Sequence, residues 1–304
     1  MTFKRDEQQG NIWLSTNHIN GDFTDFGIQP HILPSEAAVG EAMLEELLVT
    51  ASQKTGEINI ALLGGRGAQA FHRLLGEKAR THELDPVLSR LNVFTQDALA
   101  PMSMANSLSF VRDFERILGD DFFAKINSFT PMQTDVTNLE AGLNAYLDKL
   151  ESLGGLDIFF IGHGPEDNAA SHLAYIKPGS GAKAEHMAGL IPISSSILEH
   201  HISKFKAGGS NISDADEQEC RAAGFILTLG PAAILSAKKV VQSVVDASTA
   251  PAKVQTYANV MNTPLSTDNE MAKQQLDANP GLWIRLHSNK KSVVLPDVMS
   301  DVVA

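Results

Sequence analysis

The sequence predicts an α/β fold, a doubly wound and largely parallel sheet with helices on both faces, and three observations carry that reading. Mostly apolar runs recur along the chain, among them INIALL at Ile58 to Leu63, LNVFT at Leu91 to Thr95 and LDIFFI at Leu156 to Ile161. Runs with so little polar alternation suit strands buried on both faces. Segments of helical periodicity separate them, which favours parallel pairing through crossovers. Glycines gather where two of the runs end, in LLGGRGAQAF (Leu62 to Phe71) and in GHGPEDNAASHLAYIKPGS (Gly162 to Ser180), as sharp strand exits require.

In chain order, a first helix is expected after Pro34 with Ser35 as its N-cap and Val39, Met43, Leu47 and Leu48 on one face. It leads into the strand INIALL. A helix carrying Phe71, Leu74 and Leu75 follows, then the strand LNVFT. SLSFVRDFERIL, Ser107 to Leu118, reads as a helix that groups Phe110, Val111, Phe114 and Ile117. Another through Leu139, Leu143, Tyr146, Leu147 and Leu150 precedes LDIFFI, and further strands are expected at Gly189 to Ile193, Phe225 to Leu229 and Val240 to Val245. KAGGSNISDADEQE, Lys206 to Glu219, reads as a mobile surface insertion.

Composition sets the bounds. With 304 residues, 43% of them apolar, the chain can bury one large core. The expectation is a single domain over 1–304, with an irregular N-terminal extension (about 1–34) and a lid or insertion near 181–222. Cys220 is the sole cysteine, which excludes an internal disulfide and a cysteine-based zinc cluster and fits a reducing cytoplasm. No apolar run reaches membrane-spanning length and MTFKRDEQQG lacks a secretory core, so a soluble, unexported protein is expected. A net charge of -12 opposes nucleic-acid and anionic membrane partners at long range. Homo-oligomerisation stays open.

Ligands of such sheets bind beyond the carboxyl ends of the strands. At the first exit, Gly64, Gly65 and Gly67 allow close backbone approach to an anion, and Arg66 adds a two-pronged donor. The loop lacks the Gly-Lys-Ser/Thr ending of a phosphate-binding Walker loop and the third glycine of a dinucleotide fingerprint. At the second exit, Asp97 can face a ligand and take a proton from carbon. At the third, His163 lies between Gly162 and Gly164, and His172 opens HLAYIKPGS; histidines carry protons near neutrality. His200 and His201 are adjacent and point different ways on a helix, which argues against a metal pair.

HLAYIKPGS resembles the His-Ile-Ala-Phe-Asn-Glu-Pro-Gly-Ser segment of glucosamine-6-phosphate deaminases, and GHGP resembles the Gly-x-Gly-Pro of 6-phosphogluconolactonases, sister families of one Rossmann-like fold. LLGGRGAQAF is similar to their phosphate loop and VFTQD to their Phe-x-x-Asp. Ser107 matches a serine opening the next helix, FILTLGPAAILSAKKVV a later segment, and Lys253 a lysine that contacts the sugar phosphate. The resemblance runs from about Glu36 to the C-terminus.

It implies a sugar-phosphate isomerase or deaminase acting on an (amino)hexose 6-phosphate, with His172 assisting ring opening and Asp97 moving a proton between C2 and C1. Gly65, Arg66, Gly67 and Lys253 would hold the phosphate, and no metal or organic cofactor is called for. The chain departs from the pattern at several points. Lys177 stands where the family has a glutamate five residues after the histidine, and Ala170-Ser171 replaces Asp-Gly before it. Ala98 and Leu99 follow the aspartate, and Arg66 and Gly67 replace Thr/Ser and Pro. A gap-free alignment places Asn168, not His172, at the lactonase histidine, while Lys204 is one placement for the deaminase lid arginine. Lactone hydrolysis is the variant chemistry, a non-catalytic sugar-phosphate sensor the second reading, and a nucleotide-using enzyme the third.

Overall fold

The structure is a computed structural model that describes residues 3–8, 10–17, 23–245, 247, 248 and 250–302. Residues 1, 2, 9 and 18–22 of the expected extension lie outside the described residues. Strands β1 (Lys4–Gln8) and β2 (Asn11–Ser15) form an antiparallel hairpin, so part of the stretch expected to be irregular is regular strand. β3 (Pro30–Ile32) precedes α1 (Glu36–Gln53), where Ser35 Oγ accepts from the Ala38 N–H as the sequence implies. Such a cap is worth about 1 kcal/mol.

β4 (Ile58–Leu62), α2 (Gln69–Arg80), α3 (Asp85–Leu88) and β5 (Leu91–Thr95) follow. The chain then turns at Gln96 into β6 (Asp97–Ala100) and passes through α4 (Phe110–Leu118), α5 (Asp120–Lys125), β7 (Ser128–Thr130) and α6 (Leu139–Ser152). α4 begins three residues later than expected because Ser109, not Ser107, caps it by accepting from the Arg112 N–H. Ser107 Oγ instead donates to Asp216.

Next come β8 (Ile158–Ile161) and a two-residue hairpin, β9 (Gly164–Pro165) with β10 (Ser171–His172). β11 (His186–Pro192), α7 (Ser195–Ala207), α8 (Asp214–Arg221), β12 (Phe225–Leu229) and α9 (Pro231–Ser236) lead to β13 (Lys239–Val244), α10 (Ala252–Asn262), α11 (Asn269–Ala278) and β14 (Lys290–Val294). Residues 206–219, read as a mobile insertion, instead hold the end of α7 and most of α8, which Ser213 caps.

A seven-stranded sheet in the order β3-β14-β13-β8-β4-β5-β7 is parallel throughout. β4, β5 and β8 are buried along their whole length, and each large apolar side chain so buried contributes about 1.5–3 kcal/mol. Helices pack around it, so the α/β class holds. Two of the expected strands belong elsewhere, however. β11 and β12 lie in a second, five-stranded sheet of order β1-β2-β11-β12-β6 whose pairs are all antiparallel. Two helices separate β11 from β12, as in a parallel crossover, yet β2 and β6 supply their outer partners and set the opposite direction. No described helix is long and apolar enough to cross a membrane.

Candidate active site

From β4 the parallel sheet grows outward to β5 and β7, then the chain returns to place β8 on the other flank of β4. Strand order reverses between β4 and β8, and the carboxyl ends of such a pair splay to leave a crevice. A cavity open to solvent at its mouth sits there. Gly64, Arg66, Gly67 and Asp97 line it from the first two exits. Gly162, His163, Gly164 and His172 line it from the third, and Lys253 enters from α10. Gly65 lies beneath the lining, where it adopts φ +74°, a left-handed conformation natural to glycine.

Close packing explains the neighbouring glycines. A Cβ on Gly64 would stand 1.8 Å from the Phe110 ring, and one on Gly164 would stand 1.8 Å from His172 Nε2. Arg66 is oriented by an ion pair with Glu36, NH2 to Oε1 2.6 Å, while its buried Nε has no hydrogen-bond partner in the protein. With Lys204 and Lys253, it gives a strongly acidic chain a locally cationic cavity.

Asp97 opens β6 directly after the turn out of β5 and is 2% exposed. Its Oδ1 is buried without a hydrogen-bond partner. Burial raises its pKa from 3.8 to about 7, against the opposing pull of the Lys204 charge and a Gln96 side-chain hydrogen bond. A carboxyl group held near neutrality can take and return a proton in each turnover.

His172 is buried beside Gly164 on the β9–β10 hairpin. Its Nδ1 lies 2.6 Å from Glu166 Oε1, and Ser196 Oγ donates to Glu166 Oε2 at 2.5 Å. The contacts with His172 and Ser196 lower the Glu166 pKa despite its burial, so the carboxylate is charged and Nδ1 carries the proton. Nε2 is left as the basic atom of a neutral ring. Burial lowers the histidine's pKa, with Glu166 partly offsetting it. Lys177, which the resemblance aligns with a glutamate, donates to the Pro192 carbonyl at 2.6 Å. Asn168 is exposed on the turn between β9 and β10, in a left-handed conformation of φ 56°, and does not line the cavity. Of the two residues, His172 and not Asn168 lines the cavity.

Glu166 is the acid that sequence reasoning missed, although it lay in the GPED stretch already singled out. The signal was the short hairpin: Gly164 pairs with His172, and the chain beyond Gly164 brings Glu166 back onto the ring. Tyr175, His200 and Lys204 also line the cavity. His163 donates from Nε2 to Thr256 Oγ1 at 2.8 Å, because the threonine hydroxyl donates to the Lys253 carbonyl. Burial, then the Lys253 charge, depresses its pKa well below the usual value and keeps it neutral. Among the described residues, no group of three or more His, Cys, Asp or Glu is arranged to hold a metal ion.

No family model matches the chain, and no curated protein matches it. Solved structures do. A monomeric glucosamine-6-phosphate deaminase superposes with a TM-score of 0.69 at 16% identity, covering 90% of this chain and 100% of that one. The 6-phosphogluconolactonase from Trypanosoma cruzi gives 0.66 at 14% identity over 93% and 99% of the two chains, and that from Trypanosoma brucei 0.65 at 16% over 91% and 100%. Across nearly its whole length, the chain has the fold these deaminase and lactonase structures share.

Proposed function

We propose that the protein is an enzyme of sugar phosphates, an isomerase or deaminase of an (amino)hexose 6-phosphate. The observation that carries this reading is the convergence of Asp97 and His172 on one cation-lined cavity. The names of the solved neighbours, a glucosamine-6-phosphate deaminase and 6-phosphogluconolactonases, point to the same substrate class.

In this mechanism the phosphate rests against Arg66, Lys253 and the glycine loop. His172 Nε2 takes the anomeric hydroxyl proton as the ring opens and returns it to the ring oxygen, Glu166 bearing the imidazolium that forms between the two transfers. Asp97 then removes the C2 proton of the open chain and delivers it to C1. Each such transfer is typically worth about 10² to 10⁴ in rate. α7 covers one side of the site through His200 and Lys204, while β11 ahead of it is an interior strand of the second sheet.

The test is a thermal-shift panel of glucosamine-, galactosamine- and fructose-6-phosphate with 6-phosphogluconate, followed by assays for ketose formation, ammonia release and lactone hydrolysis. A ligand at a hundred times its dissociation constant stabilises by about 2.7 kcal/mol. Stabilisation with isomerisation or ammonia release is the expected result. Lactone hydrolysis alone would assign the variant chemistry, binding without turnover would assign a sensor, and no response to any phosphorylated sugar would refute the reading.

A further inference from the structure

Lys204, on α7, is fixed by an arrangement that the acid-base scheme does not use. Its stem passes over Gly65, where a Cβ would stand 3.0 Å from both Cδ and Cε. The Phe110 and Tyr175 rings flank its ammonium, with centroids 5.0 and 4.7 Å from Nζ. Nζ donates to the Tyr175 hydroxyl at 2.8 Å. That hydroxyl lies 2.7 Å from His201 Nδ1, and His201 Nε2 lies 2.7 Å from the Leu108 carbonyl.

The direction of every bond in this chain is determined. A carbonyl only accepts, so Nε2 of His201 carries the proton and Nδ1 is a bare acceptor. The single phenol hydrogen therefore points at His201, which leaves the oxygen's lone pair for Lys204. Burial holds His201 neutral, with its pKa pushed down to about 3, so the polarity does not reverse in the working pH range. Tyr175 reaches this position from a left-handed backbone, φ 58°, directly after Ala174 at φ 46°. Non-glycine residues in that region are strained and gather where function demands them. A strained tyrosine and a buried histidine together present one acceptor to one lysine.

The groups acting on or feeling the Asp97 charge are the Gln96 side chain, Lys204, and the Tyr146 and Tyr175 phenols; His172 lines the same cavity. Lys204 carries the charge opposed to the carboxylate and also acts on Asp113. Resting on the proposed function, we infer that Lys204 is the electrophile of the proton transfer, with Tyr175 and His201 as its positioning residues. As the C2–H bond breaks, the proton passes to Asp97 and the bonding pair becomes the C1=C2 bond. The carbonyl pair moves onto oxygen, where a Lys204 N–H bonds it. In the second half, the proton on the C2 hydroxyl (or amine) passes to O1, the pair left on that hydroxyl or amine forms the new C2=O (or C2=N) bond, and the C1=C2 pair takes the proton from Asp97 at C1. Water hydrolyses the imine to release ammonia, and no oxidant or reductant enters.

The experiment compares wild type, Lys204→Met, Lys204→Arg and Tyr175→Phe on whichever sugar phosphate of the panel turns over, with melting curves to verify folding. Removing a preorganised donor to a developing oxyanion typically costs about 10²- to 10³-fold in kcat. Lys204→Met should show that loss with KM changed less than about threefold, Lys204→Arg should recover part of it, and Tyr175→Phe should lose about tenfold while keeping the lysine. A carboxyl-carbon NMR titration of Asp97 without substrate should move to higher pH in Lys204→Met, a change that a merely structural role would not produce. A raised KM at unchanged kcat would make Lys204 a phosphate anchor and overturn the inference, as would an unmoved Asp97 titration. A wild type that turns over nothing would refute the proposed function itself, and so is distinguishable from failure of Lys204 alone.

Discussion

Replacing Asp97 by Asn should make the protein more stable at alkaline pH while it abolishes turnover. The unfolded carboxyl ionises near 3.8 and the folded one near about 7. Between those values the unfolded chain has released a proton that the folded state retains, so stability falls as pH rises through the window. A difference of about three pH units, at about 1.4 kcal/mol each, sets the full cost at about 4 kcal/mol above pH 8. About 2 kcal/mol of it develops between pH 5.5 and 8.5. For 304 residues, an unfolding entropy of about 0.6 kcal/mol/K converts that to about 3 °C. Asparagine has no proton to lose and should lack this slope. The assay is a pair of melting series for wild type and Asp97→Asn at the two pH values. Expected is a gap in favour of the variant that widens by about 3 °C at the higher pH. Parallel pH profiles would refute the claim that burial holds the carboxyl protonated near neutrality.

Three further outcomes follow from the cavity. Gly164→Ala should fold yet lose nearly all turnover, because the new methyl occupies the place of His172 Nε2; full activity would show that the imidazole works from another position. Glu166→Gln should lower kcat about 10- to 100-fold with KM little changed and should depress the His172 pKa further, read by proton NMR of the ring, since the carboxylate that favours imidazolium is gone. Arg66→Ala should weaken affinity for phosphorylated ligands about 10- to 100-fold, as loss of a charge-assisted contact does, and shift the melting point little because its pair with Glu36 is partly exposed. Equal weakening toward non-phosphorylated sugars would remove Arg66 from the phosphate site.

The parallel strands were readable because burial on both faces leaves no room for polar alternation, as INIALL and LNVFT show. Strand direction in the second sheet was not, since β11 and β12 are equally apolar and their orientation depends on β2 and β6, far away in sequence. Ser213 with three acids in the following turn was a legible helix start inside the stretch read as mobile. At the site, the residues on strand exits were visible because topology alone brings exits together: Gly64, Asp97, His163 and His172 all meet. Glu166, Tyr175, His201 and Lys204 act through contacts that only the folded hairpin and α7 create. Lys177, aligned by resemblance with a family glutamate, donates instead to the Pro192 carbonyl.

Gln96 alone separates the last residue of β5 from the first of β6, so the two sheets are stitched together immediately beside Asp97. Asp97 is thus mounted on a seam. One flank of that seam carries the Gly64–Gly67 loop, and the other belongs to the sheet whose strand β11 runs into α7. A shift of one layer against the other would move Asp97 and Lys204 relative to each other. Substitutions at Leu99 or Ala100 of β6, or along β12, none of which lines the cavity, are therefore a route to tuning the site without altering the residues that line it.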